Sequence, residues 1–156
     1  TLYTSQPQAD AQATIDAYLA GLPAVTAFIR RTIERATTDG YVTTVFGRRR
    51  LVPEIRTTNR QTRALGERLA VNSVIQGSAA DTIKVAMLAI EARAEAERSG
   101  ARMLLQVHDE LLFEVPEGEI ATAKAWIAAE MANAYAIDPP LVVDVGVGAD
   151  WAQAKG

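Results

Sequence analysis

The 156-residue sequence contains no cysteine, and no apolar run approaches the roughly 20 residues that a membrane span requires. The absence of cysteine excludes disulfides and thiolate metal sites. The first ten residues, TLYTSQPQAD, lack the basic and apolar regions of a secretory signal. Low-complexity tracts are also absent, which argues against a disordered chain. We therefore expect a folded, soluble, cytoplasmic protein with no membrane partner.

Charge is distributed unevenly along the chain, whose net charge is −3. Residues 30–68 contain ten basic residues, all arginine, and four acidic ones, so this stretch carries +6 and the remainder −9. Such a chain can present a basic surface to an anion while remaining acidic overall. Composition alone favours a solvated arginine-rich face. The lack of lysine in the stretch favours a phosphate partner, because guanidinium groups bind phosphate better than ammonium groups do.

Three helical regions are predicted from the spacing of apolar residues. The first covers residues 8–38, where Pro23 separates two helices or begins the second. Gly40 then has the position of a C-cap. The second region, residues 63–98, is interrupted near Gln76-Gly77, because Ser78 followed by an aspartate three residues later resembles a capping box. A third helix is predicted over residues 118–134.

Five short segments have the composition of strands. They are YVTTVF (41–46), a return strand at Leu51-Val52, MLLQV (103–107), LLFEV (111–115) and LVVDVGVG (141–148). The alternation of helices with hairpins predicts an α+β fold with antiparallel sheet.

The turn between the third and fourth segments is unusual. Tight hairpin turns favour Gly, Asn or Asp because they need positive φ. This turn has no glycine and contains the only histidine of the chain, His108, beside the carboxylates Asp109 and Glu110. A divalent cation such as Mg²⁺ or Mn²⁺ would compensate the repulsion between them. An exposed acidic turn is the alternative.

The two carboxylates are not expected to act equally, because neighbouring residues of a strand point to opposite faces. We predict that Asp109 is the direct metal ligand and that Glu110 assists it or lies one layer further out.

A row of polar side chains marks the second helical region. Arg68, Asn72 and Gln76 stand at i, i+4 and i+8, on one helical face, while Leu69, Val71, Val74 and Ile75 supply the apolar face. The three could reach the acceptors that every base pair presents in the DNA minor groove. A solvated helix face is the alternative, and spacing alone favours it.

Four segments in order resemble the DNA polymerase I family, family A, and the resemblance covers most of the chain. They are GYVTTVFGRRRLVPEI (40–55), ERLAVNSVIQGSAADTIKVAM (67–87), LLQVHDELLFEVP (104–116) and VVDVGVGADW (142–151). The third is similar to motif C of that family. The likeness is weakest before residue 25 and in the helix after Pro116.

This resemblance implies a role for each matched residue. Asp109 and Glu110 would be the acidic pair of motif C, which helps to hold two catalytic Mg²⁺ ions in the intact enzyme. His108 would contact the primer end. Arg68, Asn72 and Gln76 would touch the minor groove of the primer–template duplex. Deoxynucleoside triphosphate, primer–template DNA and the remainder of the polymerase domain are the implied partners, and the implied location is the bacterial cytoplasm with the nucleoid.

Motifs A and B of the family are absent from these residues. We therefore expect residues 1–156 to be a single C-terminal fragment of a polymerase domain, comprising the hairpins of a polymerase palm and adjoining helices. Such a fragment would be inactive alone, because one carboxylate hairpin cannot hold both ions. A non-catalytic duplex-DNA-binding module is the alternative, and a plain α+β structural domain is a third possibility.

Overall fold

The computed structural model of the chain describes residues 8–155. Helices α1 to α5 span Gln8–Ala20, Pro23–Asp39, Arg60–Glu97, Ile120–Ala132 and Trp151–Lys155. Strands β1 to β4 span Tyr41–Thr43, Arg49–Leu51, Arg102–Val107 and Glu110–Glu114. Single 3₁₀ turns occupy Pro53–Arg56 and Glu117–Glu119. Helices combined with two antiparallel hairpins confirm the expected α+β class.

The described residues divide after Ser78, inside α3, into two compact units. No helix among residues 8–155 has both the length and the apolar character needed to cross a membrane. Residues 1–7, which carry most of the sequence argument against a secretory signal, lie outside the described part of the chain.

The ends of α2 follow the sequence pattern. Pro23 is the first residue of α2, where its missing amide hydrogen removes no helical hydrogen bond. Gly40 ends the helix with a φ of 82°, a left-handed conformation that suits glycine. Arg56 donates to the carbonyl oxygens of Thr37 and Thr38, so its positive charge lies against the negative end of the helix dipole. The predicted helix start and C-cap are confirmed.

The first unit is built around a short hairpin. Strands β1 and β2 pair antiparallel, with Val42 opposite Arg50. The predicted strand over residues 41–46 is therefore shorter than expected, because the chain already turns at Val45 and Phe46. Val52 follows the return strand and is fully buried. The buried cluster draws on α2, the hairpin, the 3₁₀ turn and α3, through Ala36, Val42, Val52, Ile55 and Ala70.

Two glycines let α3 approach the preceding segment closely. A Cβ on Gly66 would lie 2.5 Å from the nitrogen of Ile55 and 2.8 Å from the carbonyl carbon of Glu54. Further along, a Cβ on Gly77 would lie 2.9 Å from Cγ2 of Thr44. At the first position the neighbours are backbone atoms, so only glycine allows the observed packing.

The predicted interruption near Gln76-Gly77 is wrong, because α3 is continuous over its 38 residues. Ser78 does not cap a helix. Its hydroxyl donates to a carbonyl one turn back and accepts the amide hydrogen of Val45 at 3.0 Å. One glycine inside a helix costs about 1 kcal/mol relative to alanine. Packing along the helix outweighs that penalty.

The second unit contains the other hairpin. Met103 pairs with Phe113 and Leu105 pairs with Leu112, so Leu104 is the extra residue of a β-bulge. Leu104 and Leu105 are 50% and 43% exposed, so these strands are less buried than their apolar sequence suggests. The core of the unit consists of Ile90, Ala123, Trp126 and Ile127, with half-buried Met103, Leu111 and Phe113 packed against it.

Helix α4 corresponds to most of the helix predicted over residues 118–134. Arg93 connects it to α3. Its Nη1 donates to Glu130 at 3.0 Å and its Nε donates to Glu97 at 2.8 Å. The guanidinium carbon lies 5.4 Å from the centre of the Trp126 ring. The hydrogen bonds to Glu130 and then Glu97 raise the pKa of Arg93 above its ordinary value.

The predicted final strand over residues 141–148 is wrong. Both described sheets have two strands, and neither includes this segment. Its burial still alternates, since Leu141, Val143 and Val145 are half-buried while Val142 is 85% exposed. The period-two pattern was therefore real, but a strand also requires a neighbour to complete its hydrogen bonds.

Candidate functional site

The turn that joins β3 to β4, with His108, Asp109 and the adjoining Glu110, is here called the carboxylate turn. Its loop has two residues, the usual minimum for a hairpin. Val107 pairs with Glu110, so only His108 and Asp109 lie in the loop. His108 adopts a φ of 55°, in the left-handed region. Histidine enters this region more often than most residues, but the conformation still costs on the order of 1–3 kcal/mol. The side-chain amide of Gln106 donates to the carbonyl of His108 at 2.8 Å and helps to hold the turn.

The two carboxylates of the turn have different partners, although both are exposed. The Nζ atom of Lys155 lies 3.0 Å from Oε1 and 3.3 Å from Oε2 of Glu110. Asp109 has no hydrogen bond or ion pair with any residue between 8 and 155. The side chains of Asp109 and Glu110 therefore lie in different electrostatic surroundings.

The carboxylate oxygens at this turn could supply part of the ligand set of a magnesium ion. Mg²⁺ prefers oxygen ligands and is commonly held by one or two protein carboxylates together with phosphates. Exposed Asp109 and Glu110 match that requirement, and no residue between 8 and 155 pairs with Asp109. In the described part of the chain, no three His, Cys, Asp or Glu side chains are grouped to hold a metal ion. Further ligands would therefore have to come from outside the described residues.

The row of Arg68, Asn72 and Gln76, here called the polar stripe, lies along α3 as predicted. Arg68, Asn72 and Gln76 are all exposed. None of the three makes a hydrogen bond or ion pair with another described residue. Their donors are therefore available to an external acceptor along about two turns of helix.

The apolar face of the same segment matches the expectation only in part. Leu69 and Val74 pack against the buried cluster of the first unit, and Val71 is half-buried. Ile75 is 58% exposed and so does not belong to the buried face. An apolar side chain therefore lies beside Gln76 on the exposed side of the helix.

The arginines of the first hairpin are exposed, and two of them contact other residues. Arg48 donates through Nη2 to the carbonyl of Gly77 at 3.2 Å. The guanidinium carbon of Arg49 lies 4.8 Å from the centre of the Tyr41 ring. Strand β2 is exposed throughout. Arg48 thus helps to hold the hairpin on α3, and the surrounding surface remains basic.

Sequence reasoning missed Lys155 and the short helix α5 that carries it. The amide nitrogen of Gln153 donates to Oδ1 of Asp150 at 2.9 Å, and its side chain donates to Oδ2 at 3.2 Å. This Asp-x-x-Gln pattern is a capping motif that could have predicted the helix. No sequence signal pairs Lys155 with Glu110, which is 45 residues earlier.

Known proteins match the chain along almost its whole length. A sequence model described as DNA polymerase family A matches residues 3–153. The thermostable DNA polymerase I of Thermus filiformis is 49% identical over 146 residues, which are 94% of this chain and 17% of that protein. DNA polymerase I of Mycobacterium tuberculosis is 48% identical over 142 residues, which are 91% and 16% of the two chains. The chain thus spans less than a fifth of these relatives.

A solved structure has the same fold. It is described as the POL domain of Pol1 from M. smegmatis in complex with DNA primer-template and dNTP. Its TM-score with this chain is 0.91 at 43% sequence identity. The similarity covers 96% of this chain and 26% of that one.

Proposed function

The chain belongs to DNA polymerase family A, and from this premise we propose that it is part of a DNA-directed DNA polymerase that extends a primer 3′ end. The carboxylate turn carries the proposal: Asp109 shares a two-residue loop with a strained histidine, Glu110 begins the next strand, and Asp109 has no partner among residues 8–155. Strained backbone of this kind concentrates at functional sites. We further propose that residues 1–156 form one C-terminal piece of a polymerase domain, with its palm hairpins, and that motifs A and B lie in the remainder.

Asp109 is proposed as a direct magnesium ligand, with Glu110 assisting. Magnesium, when bound, supplies positive charge against the phosphates of an incoming deoxynucleoside triphosphate. The part played by this chain is to hold the backbone that carries Asp109, through the two-residue turn and the hydrogen bond from Gln106 to the His108 carbonyl. His108, at the same tip, is placed to contact the primer end. Positioning of this kind contributes much of the rate in phosphoryl transfer.

The stripe of Arg68, Asn72 and Gln76 is proposed to bind the minor groove of the primer–template duplex. Donors that meet acceptors common to every base pair bind without reading sequence, as a polymerase requires. The basic surface of residues 30–68 supports this through its attraction for phosphate. Such a protein would work on chromosomal DNA in the bacterial nucleoid.

The proposal is tested by Asp109→Ala in the complete polymerase that contains this chain. We expect single-turnover nucleotide incorporation to fall by roughly 10²-fold or more, the scale seen when a group that stabilises developing charge is removed. Duplex affinity, measured by fluorescence anisotropy, should change little. Asp144→Ala, which removes another exposed aspartate of the same unit, is the matched control and should incorporate at the normal rate.

Equal losses of affinity and incorporation in Asp109→Ala would identify a structural residue and contradict the proposal. The isolated 156-residue chain provides a second test. We expect no template-dependent incorporation from it, because a single carboxylate turn cannot hold both ions. Incorporation by the isolated chain that Asp109→Ala abolishes would show that the site is complete within these residues.

A further inference from the structure

We propose that Lys155 is a positioning residue for the carboxylate turn: it keeps Glu110 in its assisting place beside the site and leaves Asp109 as the carboxylate that a cation contacts directly. The inference rests on the proposed function, because it assumes that the turn acts in nucleotidyl transfer. Its basis is the asymmetry within the turn. Lys155 contacts both oxygens of Glu110, at 3.0 and 3.3 Å, whereas Asp109 has no partner in the described chain.

Helix α5 is built so that Lys155 has a defined place. A five-residue helix is too short to be stable by itself, but Asp150 and Gln153 cap its first turn. Its last turn lies against the preceding segment. A Cβ on Gly146 would overlap the carbonyl oxygen of Ala154, and one on Gly148 would lie 2.6 Å from the nitrogen of Ala154. Glycine at both positions allows the two backbone segments to touch.

The charge of Lys155 matters more than its contribution to folding. The side chains of Lys155 and Glu110 are 61% and 45% exposed, and ion pairs this exposed contribute little to stability. Lys155 acts instead on the arrangement of charge at the turn, because two adjacent carboxylates repel each other and the lysine places a positive charge beside one of them, Glu110. Without it, Glu110 is free to turn towards the ion that Asp109 binds, which changes the geometry of the site.

Trp151 is a second residue that orients Lys155. Its Nζ atom lies 5.7 Å from the centre of the Trp151 ring, one helical turn earlier. An ammonium group at this distance from an indole is attracted to the face of the ring. Trp151 and Glu110 together restrict the lysine, so its charge stays near the turn.

The test compares Lys155→Ala with Lys155→Arg in the complete polymerase. We expect Lys155→Ala to lower kcat for incorporation about 10-fold, the lower part of the range for partners that orient metal ligands. The KM for nucleotide and the Kd for duplex should each stay within about twofold, because neither ligand contacts this lysine in the proposal. Arginine keeps the charge and should restore kcat to within about twofold.

A double mutant separates positioning from a general structural role. In a Glu110→Gln background the ion pair is already gone, so Lys155→Ala should reduce kcat by less than about twofold further. Lys124→Ala removes another exposed lysine of the same unit and should have no effect. Additive losses in the double mutant, an unaffected kcat in Lys155→Ala, or no rescue by arginine would each overturn the inference.

A different result would contradict the proposed function. If Asp109→Ala retains normal incorporation, the turn is not catalytic and the proposed function is wrong. If Asp109→Ala is inactive while Lys155→Ala is normal or additive with Glu110→Gln, only the role of Lys155 is wrong.

Discussion

The amide nitrogen of Val45 donates a hydrogen bond to the hydroxyl of Ser78 at 3.0 Å, which attaches the tip of the first hairpin to the middle of α3. Arg48 adds a second bond, to the carbonyl of Gly77 at 3.2 Å. Gly77 and Ser78 therefore mark a contact of the helix rather than its end. The small residue allows the hairpin to approach, and the hydroxyl supplies an acceptor for an amide that the short β1 strand leaves unpaired.

Gly66→Ala should destabilise the chain even though alanine is the better helix former. The added Cβ would lie 2.5 Å from the Ile55 nitrogen and 2.8 Å from the carbonyl carbon of Glu54. Overpacking of this kind costs about 1–3 kcal/mol, whereas the gain in helix propensity is about 1 kcal/mol. Urea unfolding of the chain, followed by circular dichroism, measures the net loss.

Two other glycines are controls for this prediction. Gly118→Ala should change the free energy of unfolding by less than about 0.5 kcal/mol, because its Cβ would meet nothing within 4 Å. Gly77→Ala should lie between the two, since its neighbours are the side-chain atoms of Thr44 and Arg48, which can shift. A Gly66→Ala chain as stable as the parent would contradict the close backbone packing.

Arg93→Ala should lower the melting temperature more than Arg102→Ala does. Arg93 bonds Glu130 and Glu97 and lies over Trp126. Arg102 pairs with Glu114, and the two side chains are 72% and 64% exposed. Differential scanning calorimetry of both variants compares them. Equal melting temperatures would show that the Arg93 network does not hold α4 on α3.

The same network has a defined pH dependence. The hydrogen bonds to Glu130 and Glu97 raise the pKa of Arg93, so the folded state binds this proton more tightly than the unfolded chain. Its contribution is complete below the ordinary arginine pKa and is lost only as the pH rises through the raised value. The Arg93→Ala difference in melting temperature should therefore be constant between about pH 7 and 9.

We expect the charge in the polar stripe to affect how duplex affinity depends on salt in the complete polymerase. Arg68→Ala should weaken duplex binding and reduce the slope of log affinity against log salt by about 0.9, because one cation fewer displaces counterions. Asn72→Ala and Gln76→Ala should weaken binding and primer extension without changing the slope, since neither side chain is charged. Anisotropy titrations over a range of salt concentrations measure both quantities.

Lys84→Ala is the control for the stripe, because Lys84 is an exposed cation on α3 outside the row. It should leave extension kinetics unchanged. All three stripe variants should fold normally, since the side chains are exposed and make no internal hydrogen bond or ion pair in the described chain. Normal extension by all three would remove the stripe from the proposed DNA surface.

Local sequence patterns predicted the elements whose stability is mostly local. The start of α2 at Pro23 and its end at Gly40 follow from backbone preferences that hold wherever those residues occur. The third and fourth strands and the turn between them were also predicted, whereas the positive φ of His108 was seen only in the structure. The row of Arg68, Asn72 and Gln76 required only helical periodicity.

Local patterns were enough to predict helices α1 to α4, apart from the false break in α3, and also both hairpins, the acidic turn and the family resemblance, but they missed α5. Tertiary structure alone decided that α3 continues through Gly77, that residues 141–148 form no strand, and that Lys155 pairs with Glu110. Each of these outcomes depends on a neighbour distant along the chain: a hairpin to approach a glycine, a strand to complete a ladder, a lysine 45 residues from its carboxylate. Periodicity and capping describe a residue relative to its own segment, so they contain no information about which distant segment meets it.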